Sequence, residues 1–257
     1  MSTALVTGAT AGIGESFTRL LAEKGYNLVL VARDKKRLQQ RANFLEKKYK
    51  ISTEILVADL AITAQLAKVE KRLSNPKAPI DVLINNAGFG LKDSFLDSDI
   101  DAESNLLDVL VAAPLRLTHS VLPQMKKRNS GVVINVSSVA SFIAGGTYSA
   151  AKSYLTVFSE SLHTELRKTK VRVHALCPGF THTEFHARGK MKMTGLPNFL
   201  WLEADDVVKE AWDRALAGKA ISVPGWQYKT LSTIARFGPR PWVRKAGINV
   251  RARQRRG

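Results

Sequence analysis

Short apolar runs alternate along the chain with longer segments whose apolar residues recur at helical spacing. Residues 4–7, 27–32, 55–57, 82–85, 132–136, 171–176 and 220–223 read as strands. Residues 14–24, 34–49, 62–73, 103–127, 147–168 and 204–217 read as helices; in the first, Phe17, Leu20 and Leu21 share one face. A strand that repeatedly gives way to a helix and then another strand implies an α/β fold. The strands are near-continuous apolar runs, as in a parallel sheet buried on both faces. The expected architecture is therefore a doubly wound, Rossmann-like parallel sheet in a single domain, residues 1–225, with right-handed crossovers. Pro114 lies inside the 103–127 segment and predicts a kink or interruption there. Residues 184–203 break the alternation with Gly, Pro, Met and aromatic residues, a composition suited to a segment that covers an apolar ligand. Residues 226–257 form a basic C-terminal extension.

Candidate chemistry begins where the first strand ends. The turn from Thr7 through Gly8, Thr10, Gly12, Ile13 and Gly14 follows a strand and opens a helix. Glycines there permit a tight turn and close approach of backbone to a pyrophosphate, and a helix N-terminus adds unpaired N–H groups. The spacing is GxxxGxG rather than GxGxxG, and the strand–turn–helix context is what points to a dinucleotide. At the end of the second strand stands Arg33. An acidic residue at that point suits the 2′-hydroxyl of NAD, whereas an arginine fork suits the 2′-phosphate of NADP. Asp34 fits the N-cap of the next helix. NADP (NADPH) is thus the expected cofactor, ahead of NAD.

Tyr148 and Lys152 are four residues apart in helical sequence and so share a face. An ammonium near a phenol favours the phenolate and makes the tyrosine a usable acid or base toward a hydroxyl or carbonyl.

With these motifs stand Ala58-Asp59-Leu60, Asn85-Asn86-Ala87-Gly88, Asn135-Val136-Ser137-Ser138 and Pro178-Gly179 with Thr183. In this order, over residues 3–225, the chain resembles the short-chain dehydrogenase/reductase family. The resemblance implies that Gly8, Gly12 and Gly14 shape the phosphate turn, with Ile13 along it. It implies that Asp59, with Leu60 beside it, meets the adenine, and that Asn86, Ala87 and Gly88 line the cofactor's path. Pro178, Gly179 and Thr183 would face the nicotinamide. Ser138 would hold the substrate oxygen, Tyr148 would pass the proton, and Lys152 would tune Tyr148 and hold the ribose. The implied activity is hydride transfer between nicotinamide and a ketone, aldehyde or alcohol. The implied assembly is a homodimer or homotetramer built on the 103–127 and 147–168 helices.

Two positions depart from the family pattern. Leu110 falls where the family usually carries an asparagine of the proton relay, and Asn105 is more than one helical turn earlier. The stretch between Ser138 and Tyr148 is shorter than in many members, which leaves Ser137 as a rival to Ser138. A second reading, an NADP(H)-binding regulator with weak turnover, rests on Leu110.

Composition changes the picture at one point. The 257 residues carry 39 Lys+Arg against 22 Asp+Glu, a net charge of +17. Residues 229–257 hold nine Lys/Arg and no acid. Acidic partners are favoured, and Leu231, Ile234, Ala235 and Phe237 beside basic residues suit peripheral contact with an anionic membrane. Nucleic acid is the weaker candidate, because no base-reading motif accompanies the charge. Phe185, Met191, Met193, Leu196, Phe199, Leu200 and Trp201 suggest a small apolar carbonyl or alcohol substrate. No run of about 18 apolar residues predicts a membrane span. One cysteine, Cys177, and an N-terminus that reads as a strand fit a cytoplasmic protein. His182 and His186 are helically spaced but lack a third ligand, so no metal site is expected.

Overall fold

The computed structural model describes residues 2–185, 197–239, 241 and 243–244. Among them, β1 (Thr3–Thr7), β2 (Asn27–Ala32), β3 (Thr53–Val57), β4 (Val82–Asn85), β5 (Gly131–Val136), β6 (Val171–Leu176) and β7 (Ile221–Ser222) form one sheet. Its order is β3-β2-β1-β4-β5-β6-β7, and every pairing is parallel. The helices are α1 (Gly12–Glu23), α2 (Lys35–Tyr49), α3 (Thr63–Leu73), α4 (Ile100–Leu107), α5 (Ala113–Arg128), α6 (Thr147–Glu165), α7 (Ala204–Leu216) and α8 (Trp226–Phe237).

Alternate residues of each strand point to opposite faces, and both faces are covered. Val6, Leu30, Ile84 and Ile134 meet Phe17, Leu21, Leu38 and Trp212 on one side. Leu5, Val29, Leu83 and Val133 meet Leu66, Leu117, Val121 and Met125 on the other. Two apolar layers explain why the strands read as continuous apolar runs. Asp34 caps α2, its carboxylate accepting the Arg37 N–H at 3.0 Å.

The segment read as one helix over 103–127 is three pieces. A π-helical turn, Asp108–Ala112, separates α4 from α5. Pro114 lies in the first turn of α5, where a missing N–H costs least, so the interruption precedes the proline rather than kinking the helix at it. Pro123 sits inside α5 without ending it. The run Ile100–Arg128 is long and apolar enough, by mean hydropathy, to cross a membrane, although polar residues interrupt every apolar stretch within it. Its apolar residues Leu117, Val121 and Met125 are buried against the sheet, as in any core helix.

Strand order reverses between β1 and β4. Val6 pairs with Leu30 on one side and Ile84 on the other, so the connections after β1 and β4 diverge to opposite faces. The crevice opened at their carboxyl ends is where ligands bind in such sheets. The Gly8–Gly14 turn and Asn86–Gly88 lie there together.

Candidate active site

A cavity of about 1090 Å³ opens at these carboxyl ends. Its lining includes Gly8, Thr10, Gly12 and Ile13 from the first turn, Arg33 after β2, Asp59 and Leu60 after β3, and Asn86, Ala87 and Gly88 after β4. Ser138, Tyr148, Lys152, Pro178, Gly179 and Thr183 complete the set named from the sequence. Gly14 alone of that set does not line the cavity. A Cβ on Gly14 would stand 2.2 Å from the Gly8 carbonyl oxygen and 2.3 Å from Asn86 Nδ2, so this glycine serves close packing beneath the turn.

The turn is held from β4. Asn86 Nδ2 donates to the Thr7 and Gly8 carbonyls at 2.9 and 3.2 Å, while Thr7 Oγ1 accepts the Asn86 and Ala87 N–H groups at 3.0 Å. Gly8 and Gly12 have φ of +66° and +54°, the region a side chain disfavours. Ala11, the N-cap of α1, offers no capping side chain. The first-turn amides of α1 are therefore left to an anion at the helix's positive end, and the cradle fits a dinucleotide pyrophosphate.

At the adenosine end, Arg33 is largely exposed and lies 3.6 Å from the Asp59 carboxylate. Asp59 Oδ1 also accepts the Ala61 N–H at 3.1 Å, which fixes its orientation. A second cation here escaped the sequence reading. Arg37 lines the cavity, donates to both Glu184 carboxylate oxygens at 2.7 and 3.0 Å, and reaches the Thr10 carbonyl at 3.3 Å. The Glu184 hydrogen bonds hold its guanidinium pKa above the usual value. The signal was available: with Asp34 as N-cap, Arg37 falls in the first turn of α2, where its side chain meets the phosphate turn.

Gly146, at φ +80°, starts α6, so Tyr148 stands in the first turn and Lys152 one turn on. Lys152 is buried, and its Nζ donates to the Val136 carbonyl at 2.7 Å and lies 5.6 Å from the Tyr148 ring centre. Burial pushes its pKa down to about 8. The Tyr148 ring packs on Phe185, centroids 6.0 Å apart. The two serines differ. Ser137 is buried, its hydroxyl donating to the Lys152 carbonyl at 2.8 Å and bonded to Thr156 at 2.7 Å. The Ser138 hydroxyl accepts the Ala140 N–H at 3.1 Å beside the cavity.

Leu110 sits in the π-helical turn, buried with Leu106 and Ala151 against Tyr148. A Cβ on Gly88 would stand 2.8 Å from its Cδ2, so Leu110 fills the space beside the cofactor path. Asn105, which α-helical spacing set apart from that position, nonetheless lines the cavity with Val109.

The far wall comes from beyond Gly225. Tyr228, Leu231, Ile234 and Ala235 of α8 line the cavity, although the sequence resemblance stopped before them. Tyr228 Oη accepts the Phe180 N–H at 3.0 Å and donates to the Leu200 carbonyl. Of the expected covering segment, Glu184 and Phe185 line the cavity; residues 186–196, with Met191, Met193 and Leu196, lie outside the described residues. Phe199, Leu200 and Trp201 follow, Trp201 stacking on His182 at 4.7 Å. His186 also lies outside the described residues, among which no cluster suited to a metal occurs.

A glycine turn on an uncapped helix, at the switch point of a parallel sheet, beside a serine, a tyrosine and a buried lysine, defines a dinucleotide-binding oxidoreductase site. The family model for short chain dehydrogenases matches residues 2–193, and the chain belongs to that family of NAD(P)-binding oxidoreductases. An NADP-dependent 3-hydroxy acid dehydrogenase of Schizosaccharomyces pombe is 35% identical over 188 residues, 71% of this chain and 73% of that one. A very-long-chain 3-oxoacyl-CoA reductase of Laccaria bicolor is 36% identical over 178 residues, 67% of this chain and 53% of that one. A short-chain dehydrogenase from Sphingobium yanoikuyae, solved with NADPH, superposes with a TM-score of 0.84 at 31% identity, covering 91% of this chain and 93% of that chain.

Proposed function

We propose that the protein is an NADPH-dependent reductase that interconverts an apolar ketone or aldehyde and its alcohol. The observation that carries this reading is one continuous cavity, with the glycine turn and Arg33 at one end and Ser138, Tyr148 and Lys152 toward the other. Bound along that path, the nicotinamide supplies or accepts the hydride. Ser138 donates a hydrogen bond to the substrate oxygen. Tyr148 delivers the proton to that oxygen in reduction and removes it in oxidation. Lys152, while charged, favours the Tyr148 phenolate and so eases the proton's departure.

Arg33 and Arg37 support the preference for the 2′-phosphate, since both offer planar, permanently charged forks on the adenosine side. The NADP-dependent relative and the NADPH complex point the same way. Phe89, Val109, Ile143, Phe185 and Leu231 give the rest of the cavity an apolar wall, which supports an apolar substrate. Exposed Leu107, Leu115 and Val157 on α4, α5 and α6 support a homodimer through these helices. Leu110, apolar where a relay asparagine is usual, favours the second reading, a cofactor-binding regulator.

The test is NADPH oxidation against medium-chain aldehydes, cyclic ketones and 3-oxoacyl thioesters, repeated with NADH. Each charged hydrogen bond to the phosphate is worth about 1.5–3 kcal/mol. Arg33→Ala should therefore weaken NADPH binding about tenfold or more and leave NADH binding unchanged, and Arg37→Ala, which also unties the Thr10 carbonyl of the phosphate turn, should weaken NADPH binding more than NADH binding. Equal losses for both cofactors contradict the phosphate assignment; tight NADPH binding without turnover on any carbonyl favours the regulator.

A further inference from the structure

The outer side of α8 is apolar where a solvent-facing helix is ordinarily polar. At 3.6 residues per turn, Trp226, Thr230, Ile234 and Phe237 fall on one side of the helix and Leu231 next to them. Trp226 is 73% exposed, Ile234 60% and Phe237 85%. Phe199, also exposed, is held at the start of α8 by the Gln227 side-chain amide, which donates to the Phe199 carbonyl at 2.8 Å. Leu231 and Ile234 are over half exposed and also line the cavity, so the apolar side of α8 continues into the cavity mouth. The cations of the helix lie on its other flank, Lys229 paired with Glu210 and Arg236 with Glu160.

We propose that this side of α8 docks on an anionic lipid surface and opens the cavity toward the lipid. An amphipathic helix lying in a membrane interface has this arrangement, aromatic and aliphatic side chains on one side and cations at the flank. Charge complementarity selects the partner. Residues 229–257 carry nine Lys/Arg and no acid, in a chain of net charge +17. A contact between two copies of a chain of net charge +17 sets like charges against each other. Anionic lipid headgroups neutralise the same charges. A polyanionic nucleic acid answers the charge but leaves Trp226, Ile234 and Phe237 without an apolar partner. Docking itself does not depend on catalysis; delivery of substrate from the lipid rests on the reductase reading above.

Flotation of the full chain with phosphatidylcholine vesicles, with and without phosphatidylserine, tests the proposal at physiological salt. The chain should float with the anionic vesicles and remain behind with the neutral ones. Trp226→Ser with Phe237→Ser should cut the bound fraction about tenfold. Arg251→Gln with Arg253→Gln, Arg255→Gln and Arg256→Gln should do the same through the charge. NADPH binding, measured on every variant, shows that the fold and the cofactor site persist, so loss of docking is distinguishable from failure of the reductase assignment. No flotation overturns the proposal. So does flotation that responds to the arginines but not to Trp226 and Phe237, and so does preferential retention on RNA. An oligomer larger than a dimer that Trp226→Ser with Phe237→Ser dissociates reassigns the face to a second copy.

Discussion

The ring of Tyr228 occupies the space that a side chain on Gly179 would need. A Cβ there would stand 2.1 Å from the ring carbons, and the Tyr228 hydroxyl bridges the Phe180 N–H and the Leu200 carbonyl. This joins α8 to the loop after β6 and to the segment before α7, so three stretches distant in sequence form one wall of the cavity. Tyr228→Phe removes both hydrogen bonds and should cost about 1–2 kcal/mol, because it leaves the part-buried Phe180 N–H and the Leu200 carbonyl without this partner. Tyr228→Ala should cost about 3–5 kcal/mol and raise KM for an apolar substrate more than it lowers kcat. Denaturant unfolding and steady-state kinetics check both. A Tyr228→Ala protein as stable as the wild type contradicts the wall.

Lys152 is a buried cation whose pKa is pushed down to about 8 by desolvation. Between that value and its ordinary 10.5, the unfolded chain holds the proton that the folded one has released. Stability therefore rises with pH across this window, and below pH 8 the fold carries the full cost of the buried charge. Lys152→Met keeps the bulk and drops the charge. It should be more stable than the wild type at pH 7 by about 1–3 kcal/mol, with the gap closing by pH 10.5. It should also be inactive. Urea midpoints at several pH values measure the gap; a difference independent of pH contradicts it.

His174 clips β6 to β7, with Nδ1 2.7 Å from the Lys219 carbonyl and Nε2 2.7 Å from Ser222 Oγ. Burial pushes its pKa down to about 4 from 6.5. As pH falls from 6.5 to 4, the unfolded chain gains a proton that the folded chain resists, so stability is lost over that interval. His174→Gln should be less stable at pH 7, where the neutral imidazole is well satisfied, and should lose less on acidification. Melting temperatures at pH 7 and pH 5 test this; parallel losses in both proteins contradict it.

The fold was legible because the central strands β1, β2, β4 and β5 are apolar on both faces and the helices only on one. β6 matches its expected limits, and Asp34 was read correctly as a cap because that interaction is local. The cavity lining drew together residues from the carboxyl ends of six strands, β1 to β6, and their motifs stand in chain order in the sequence. Long-range contacts were not legible. Nothing near Tyr228 signals its bond to Phe180, 48 residues away, so α8 was read as an extension beside the domain. Arg37 was passed over because a charged helix start resembles any solvated face. The π-helical turn escaped because one wide turn shifts the helical phase without breaking the apolar pattern, and Asn105 reaches the cavity on that altered course. Gly14 stands beneath the phosphate turn, where the Gly8 carbonyl and Asn86 fill the space a side chain would need.

In the proposed reaction hydride and proton arrive from different sources, the proton from Tyr148. Incubation with NADPH deuterated at the transferred position, an apolar ketone and either wild type or Tyr148→Phe tests this by mass spectrometry of the product. The wild type should yield alcohol with one deuterium on the carbinol carbon. Tyr148→Phe should bind NADPH unchanged and lose about 100-fold or more in rate, the usual contribution of a positioned acid. Alcohol without deuterium, or a Tyr148→Phe protein as fast as the wild type, would contradict the account.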